Sequence, residues 1–183
     1  MLILVLGDLH IPQRKLEIPE QYMKLIVPGK VDKILCLGNL TTQDTLKWLK
    51  TICKDITLVS GDFDENFPDA TETAVVTIGS YKFGLIHGHQ VLPWGDPERL
   101  GAIGREMNVD VLISGNTHVP SISTYEGRLF LNPGSLTGAY SQTSTTSSPS
   151  FMVMEVKKDQ LGVTLYQINE SEEVEIFNYN HTI

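Results

Sequence analysis

Met1-Leu2-Ile3-Leu4-Val5-Leu6-Gly7-Asp8-Leu9-His10 opens the chain: an unbroken apolar run that stops at a glycine, then a carboxylate and an imidazole two residues apart. Apolar residues without alternation are the pattern of a strand buried on both faces, as in the parallel sheet of an α/β protein. The ending recurs. Residues 31–37 run into Gly38-Asn39 and residues 56–60 into Gly61-Asp62, so three predicted strands finish in glycine plus a side chain able to hold a metal. Between them, residues 20–27 and 42–52 read as helices; Leu46, Leu49 and Ile52 recur at helical spacing behind Thr41 or Thr42 as a cap. The alternation predicts βαβ architecture.

Downstream, residues 74–78 and 81–86 flank Gly79-Ser80 as a hairpin, a helix is expected over 96–107 and a strand over 109–113. A second hairpin, 122–125 with 129–131, turns at Glu126-Gly127. Residues 137–150 are rich in Ser and Thr and predict a surface loop open to phosphorylation. Strands at 151–156, 163–168 and 174–179 close the chain, and residues 1–183 are expected to form a single α/β domain without repeats.

Composition narrows the function classes. The 183 residues carry 14 Lys+Arg against 22 Asp+Glu, a net charge of -8, which disfavours a broad grip on nucleic acid. The opening apolar run has no basic flank or small-residue cleavage site, so it reads as a strand rather than a secretory signal. No stretch approaches the roughly 20 apolar residues of a membrane span, and no basic amphipathic helix or lipidation motif suggests direct membrane insertion. Cys36 and Cys53 sit in apolar surroundings, as thiols of a reducing compartment do, which points to the cytosol.

The chemistry gathers at the strand ends: Asp8-Leu9-His10, Gly38-Asn39, Gly61-Asp62-Phe63-Asp64, His87-Gly88-His89 and Gly115-Asn116-Thr117-His118. In an α/β sheet the carboxyl ends of the strands share one crevice, and mixed oxygen and nitrogen donors suit zinc, manganese or iron. Four of the five histidines fall in these loops, whereas satisfied core or surface histidines would scatter.

In order and spacing these loops resemble the calcineurin-like metallophosphoesterases, whose pattern runs D-x-H, G-D, G-N-H-D or a variant, H, then G-H-x-H. The resemblance implies a two-sheet sandwich flanked by helices. Gly7-Asp-Leu-His-Ile-Pro-Gln-Arg14, Val27-Pro-Gly-Lys30, Gly61-Asp-Phe-Asp-Glu-Asn66, Gly84-Leu-Ile-His-Gly-His-Gln90, Pro93-Trp-Gly-Asp96 and Asn132-Pro-Gly-Ser135 are similar to one branch: the phosphoesterase-fold subunit of retromer, the vacuolar protein sorting-associated protein 29 family.

By family correspondence Asp8, His10, Asn39 and His118 would hold one metal, and Asn39, Asp62, His87 and Asn116 the other. Against active relatives, Asn39 stands for a bridging Asp, Phe63 for a His that meets substrate, and Asn116 for the first His of G-H-x-H; Asp62 stands where Asn is usual. These departures imply no catalytic residue, no required cofactor and one weakly bound divalent ion, zinc or manganese, at most. His89 is left undecided between supporting the site and lying on the surface.

The resemblance also implies docking to the large α-solenoid subunit through Val91 and Leu92, and binding of regulators of small GTPases through Leu2, Leu25, Val153 and Tyr166. Buried core is the competing reading, and the more economical one for Leu2 and Val153 in predicted strands. The implied role is a non-catalytic scaffold in endosomal cargo recycling, endosome to Golgi, cytoplasmic and peripheral on endosomes through the complex. The alternatives are a metal-dependent phosphodiesterase or phosphatase and, more thinly supported, a phosphate or nucleotide sensor.

Overall fold

The structure, a computed structural model, describes residues 1–144 and 147–182. Its first sheet holds β1 (Leu2–Leu6), β2 (Lys33–Cys36), β3 (Ile56–Leu58), β9 (Ser150–Lys157), β10 (Gln160–Ile168) and β11 (Val174–Thr182), in the order β11-β10-β9-β1-β2-β3. The second holds β4 (Thr73–Ile78), β5 (Tyr81–Ile86), β6 (Val111–Ser114), β7 (Ser121–Tyr125) and β8 (Arg128–Asn132), in the order β4-β5-β6-β8-β7. Helices α1 (Glu20–Leu25), α2 (Gln43–Ile52) and α3 (Pro97–Glu106) complete the fold.

The alternation along β1 shows how the layers form. Ile3 and Val5 face a core shared with Phe83, Leu85, Val111 and Ile113 of the second sheet, while Leu4 and Leu6 face Leu46, Leu49 and Ile52 of α2. Both faces of β1 are therefore covered, which is why its sequence runs apolar without a break. On the far side, Leu112 and Phe130 pack with Leu100 of α3. The result is a two-sheet sandwich with α1 and α2 outside one sheet and α3 outside the other.

The expected elements are present with shifted ends: β7 to β11 run longer than expected, whereas several earlier elements are shorter. β2 begins at Lys33 and β6 at Val111, and α1 stops at Leu25. Thr42 is the residue before α2, but its hydroxyl meets Thr45 Oγ1 at 2.9 Å and caps no backbone N–H. Asp96 does cap α3, accepting from Arg99 N at 2.9 Å.

The predicted surface loop over 137–150 needs correction. Thr137, Ala139, Ser141 and Ser150 are buried, while Gln142 and Thr143 are exposed; Thr145 and Thr146 lie outside the described residues. Thr137 Oγ1 donates to Leu9 O at 2.8 Å and Ser147 Oγ to His118 O at 2.7 Å. The hydroxyls are spent on loop carbonyls, so a Ser/Thr-rich composition that resembles a solvated loop is here partly an internal strap.

Candidate metal centre

Five loops at the carboxyl ends of β1, β2, β3, β5 and β6 converge. Asp8 N donates to Gly38 O at 2.9 Å, His10 N to Asn39 O at 3.0 Å and Gly115 N to His87 O at 2.7 Å, which locks adjacent loops together. Asp8, His10, Asn39, Asn116 and His118 all have positive φ, between 48° and 67°. Left-handed backbone is uncommon for residues with a side chain, and its concentration in these loops marks strain retained for function. Glycine clears the remaining space: a Cβ at Gly61 would lie 2.1 Å from Asn39 Oδ1, and one at Gly115 would lie 2.8 Å from Asp8 Oδ2.

Asp8 Oδ1 is the hub. His118 Nε2 lies 3.3 Å away, His10 Nε2 3.6 Å and His87 Nε2 3.7 Å, while Asp8 Oδ2 accepts from Asn116 N at 2.8 Å. Two imidazoles are oriented from behind: Nδ1 of His87 donates to Leu37 O and Nδ1 of His118 to Ala139 O, each at 2.6 Å, leaving both Nε2 atoms to face the centre.

Asn39 takes a different orientation from a bridging ligand. Its Oδ1 accepts from Phe63 N at 2.9 Å, and its Nδ2 points inward, 3.1 Å from Asp8 Oδ1, 3.0 Å from Asp62 Oδ1 and 2.9 Å from His87 Nε2. A donor therefore occupies the place where the family correspondence calls for an oxygen. Asp64, which carried no role in the sequence reading, holds this loop: its carboxylate accepts from the backbone N of Asn39 at 2.6 Å, Gly61 at 2.9 Å and Thr41 at 2.9 Å. Ser135 was also missed; its Oγ donates to Asp8 O at 2.7 Å. Gly61-Asp62-Phe63-Asp64 and Asn132-Pro-Gly-Ser135 drew attention as motifs, yet neither spacing reveals a carboxylate or a hydroxyl turned onto backbone.

Electrostatics follow the geometry. Burial pushes the Asp8 carboxyl up, but the His87 charge and the nearby His10 and His118 hold it well below its usual value. Burial also raises Asp62, and His87 and Asn39 outweigh that to bring it to about 2. His87 is driven down by burial and up, on balance, by Asp8 and Asp62. Burial lowers His10 and His89.

The residues present fit a divalent cation. Asp8, His10 and His118 form one group of ligand atoms within 4.8 Å of one another, and Asp62, His87 and His89 form a second. Both ring nitrogens of His10, Nδ1 of His89 and Nδ2 of Asn116 are buried without hydrogen-bond partners. An orphaned buried polar atom costs roughly 1–3 kcal/mol, and coordination would relieve the imidazoles.

Over this centre sits a plug. Phe63 meets the His10 ring edge-on at 5.4 Å, the Arg14 guanidinium lies 4.7 Å from the Phe63 ring and 5.0 Å from the Tyr140 ring, and Arg14 also donates to Tyr140 O at 2.8 Å. The crevice that remains encloses no more than about 230 Å³, below the roughly 300–1,000 Å³ of small-molecule sites.

The surface residues divide. Leu92 is 68% exposed, whereas Val91 is 3% exposed and packs with Ile86, Leu100 and Leu112. Of the two residues read from the sequence as an anchor, one is thus exposed and the other belongs to the core. Leu2, Val153 and Tyr166 are half-buried and line one hollow on the outer face of β9 and β10, and Val153 with the exposed Leu25 lines a second. Val153 and Tyr166 pack against the core from this face, and neither Leu2 nor Val153 is fully buried.

Residues 1–159 match the calcineurin-like phosphoesterase superfamily domain. Vacuolar protein sorting-associated protein 29 of Schizosaccharomyces pombe is 40% identical over 176 residues, 94% of each chain. The Chaetomium thermophilum protein of that name superposes with a TM-score of 0.95 at 36% identity, covering all of this chain and 98% of that one. The Entamoeba histolytica protein complexed with zinc matches with a TM-score of 0.92 at 40% identity, covering 98% of this chain and 99% of that one. With matching loops, matching layers and end-to-end likeness, the chain belongs to the vacuolar protein sorting-associated protein 29 family, within the calcineurin-like phosphoesterase superfamily.

Proposed function

We propose that residues 1–183 act as one folded scaffold subunit of retromer, without catalytic turnover, in endosomal cargo recycling from endosome to Golgi. The observation that carries this reading is the inward Asn39 amide. Its Nδ2 satisfies Asp8 and Asp62 with protein hydrogen bonds, so the loops hold their shape by themselves and the bridging oxygen of two-metal hydrolysis is missing. The Phe63, Arg14 and Tyr140 plug adds to it, since Phe63 can neither protonate a leaving group nor bind a phosphate. Any metal at Asp8, His10 and His118 is dispensable for docking.

Leu92 is the anchor for the large α-solenoid subunit, next in the chain to the buried Val91; its exposed apolar side chain can fill a pocket on the partner and exclude water there. The hollows at Leu2, Leu25, Val153 and Tyr166 receive regulators of small GTPases. The protein is cytoplasmic and reaches endosomal membranes through its partners; among the described residues no helix is long and apolar enough to cross a membrane.

A pull-down with the large subunit tests this, comparing wild type, Leu92→Asp and Asp8→Ala. Loss of binding in Leu92→Asp alone is the expected result. Binding by none of the three, together with metal-dependent hydrolysis of bis-p-nitrophenyl phosphate, would favour a phosphodiesterase, the reading that the intact Asp8, His10 and His118 group supports.

A further inference from the structure

The second ligand group contains an imidazole that the family correspondence does not assign. Asn116 stands where that correspondence expects histidine, and its Nδ2 is buried without a partner. An amide oxygen is a poorer zinc donor than an imidazole nitrogen. His89, two residues past His87 in the loop after β5, brings a ring nitrogen to within 4.8 Å of ligand atoms of Asp62 and His87. The two rings lie 5.3 Å apart, and His89 Nδ1 is buried without a partner.

We propose that His89 replaces the lost imidazole, so that Asp62, His87 and His89 form a second zinc site. Two imidazoles and a carboxylate are the donor set of open zinc sites, which leave a fourth position to water. The Asp62 side chain, 35% exposed, gives that position its access to solvent. His87 is already oriented: its Nδ1 is held by Leu37 O, and its Nε2 faces Asp62 Oδ1 at 3.3 Å and the Asn39 amide at 2.9 Å, a contact that zinc bound here would displace. Gly88 makes the histidine pair possible: its φ of +110° is a conformation that residues with a side chain rarely adopt, and a Cβ there would lie 3.0 Å from Gly115 O. The metal capacity is then two ions, one at Asp8, His10 and His118 and one at Asp62, His87 and His89, neither requiring Asn116. This assignment is independent of the scaffold reading.

Zinc calorimetry and cobalt(II) absorption spectra test it on the full chain in a His10→Ala background, which disables the first group. His10→Ala is expected to bind one ion, and His10→Ala/His89→Ala to bind it at least about tenfold more weakly, the lower end of what losing even an outer partner does. His10→Ala/Asn116→Ala keeps the parent affinity and the parent cobalt spectrum. Affinity that follows Asn116 instead of His89, or no ion in His10→Ala at millimolar zinc, overturns the assignment. Circular dichroism in chelator establishes that each variant is folded, and His89→Gln, similar in size but without the ring, repeats the comparison should His89→Ala unfold. Solenoid binding measured on the same variants reports on the scaffold reading separately.

Discussion

Asn39 donates through one amide nitrogen to two carboxylates, Asp8 at 3.1 Å and Asp62 at 3.0 Å. Asn39→Asp exchanges this donor for a third carboxylate, so the chelated protein is expected to lose at least about 2 kcal/mol at pH 7, since hydrogen bonds to charged groups are worth about 1.5–3 kcal/mol each. Zinc should return much of that loss. Thermal melts in chelator and in zinc check it, and equal melting of variant and wild type under both conditions would refute it. The two thiols differ in a simpler way. Burial pushes the Cys36 thiol far up, whereas Cys53 is half-buried, with its Sγ 3.4 Å from Asp32 O. Under native conditions Ellman's reagent should therefore label Cys53 first, and Cys36 only on unfolding.

Among the elements, the loop following β3 carries the tightest packing around the centre. Gly61→Ala would place a methyl 2.1 Å from Asn39 Oδ1 and 2.6 Å from Asn39 N, so the backbone itself must give. Overpacking of that kind costs about 1–3 kcal/mol. The denaturant midpoint should fall accordingly, and zinc affinity with it because Asp62 follows Gly61. By contrast, Leu92→Asp on an exposed loop position should change stability by less than about 0.5 kcal/mol while removing the proposed docking anchor. Equilibrium unfolding in urea separates the two cases, and a strongly destabilised Leu92→Asp would undo the pull-down's meaning.

Across the whole molecule, the charges of the centre predict the dependence of stability on pH. Asp8 and Asp62 ionise below their unfolded values, so their contribution is present above about pH 4 and is lost as pH falls through their folded values, about 2 for Asp62. His87 is raised, so its contribution is full below about pH 6.5 and is lost as pH rises through its folded value. His10 and His89 are lowered, and they act in the opposite sense, favouring the folded state as pH rises towards 6.5. The chelated protein should therefore show a steep acid limb and a shallow slope near neutrality. Zinc must displace protons from these imidazoles, so the extra stability zinc confers should grow from pH 5 to 7.5. Melting temperatures across pH, with and without zinc, measure both, and a zinc increment independent of pH would contradict the ligand sets.

The layers and the ligand-bearing loops were legible in the sequence because their signals are local: apolar runs ending in glycine, Asp8 and His10 two residues apart, helical spacing along 46–52. Asn39, Phe63 and Asn116 could be read there too, each a single residue at a position of the motifs that the loops resemble. Contacts across the chain decided the rest. Asn116 N reaches Asp8 over 108 positions and Ser135 Oγ reaches Asp8 over 127. Such closures determine which way the Asn39 amide turns, which imidazole lies beside Asp62 and His87, and that residues 135–139 are buried. Val91 and Leu92 are adjacent and both aliphatic, and only the packing of α3 against β6 and β8 leaves one in the core and the other in solvent.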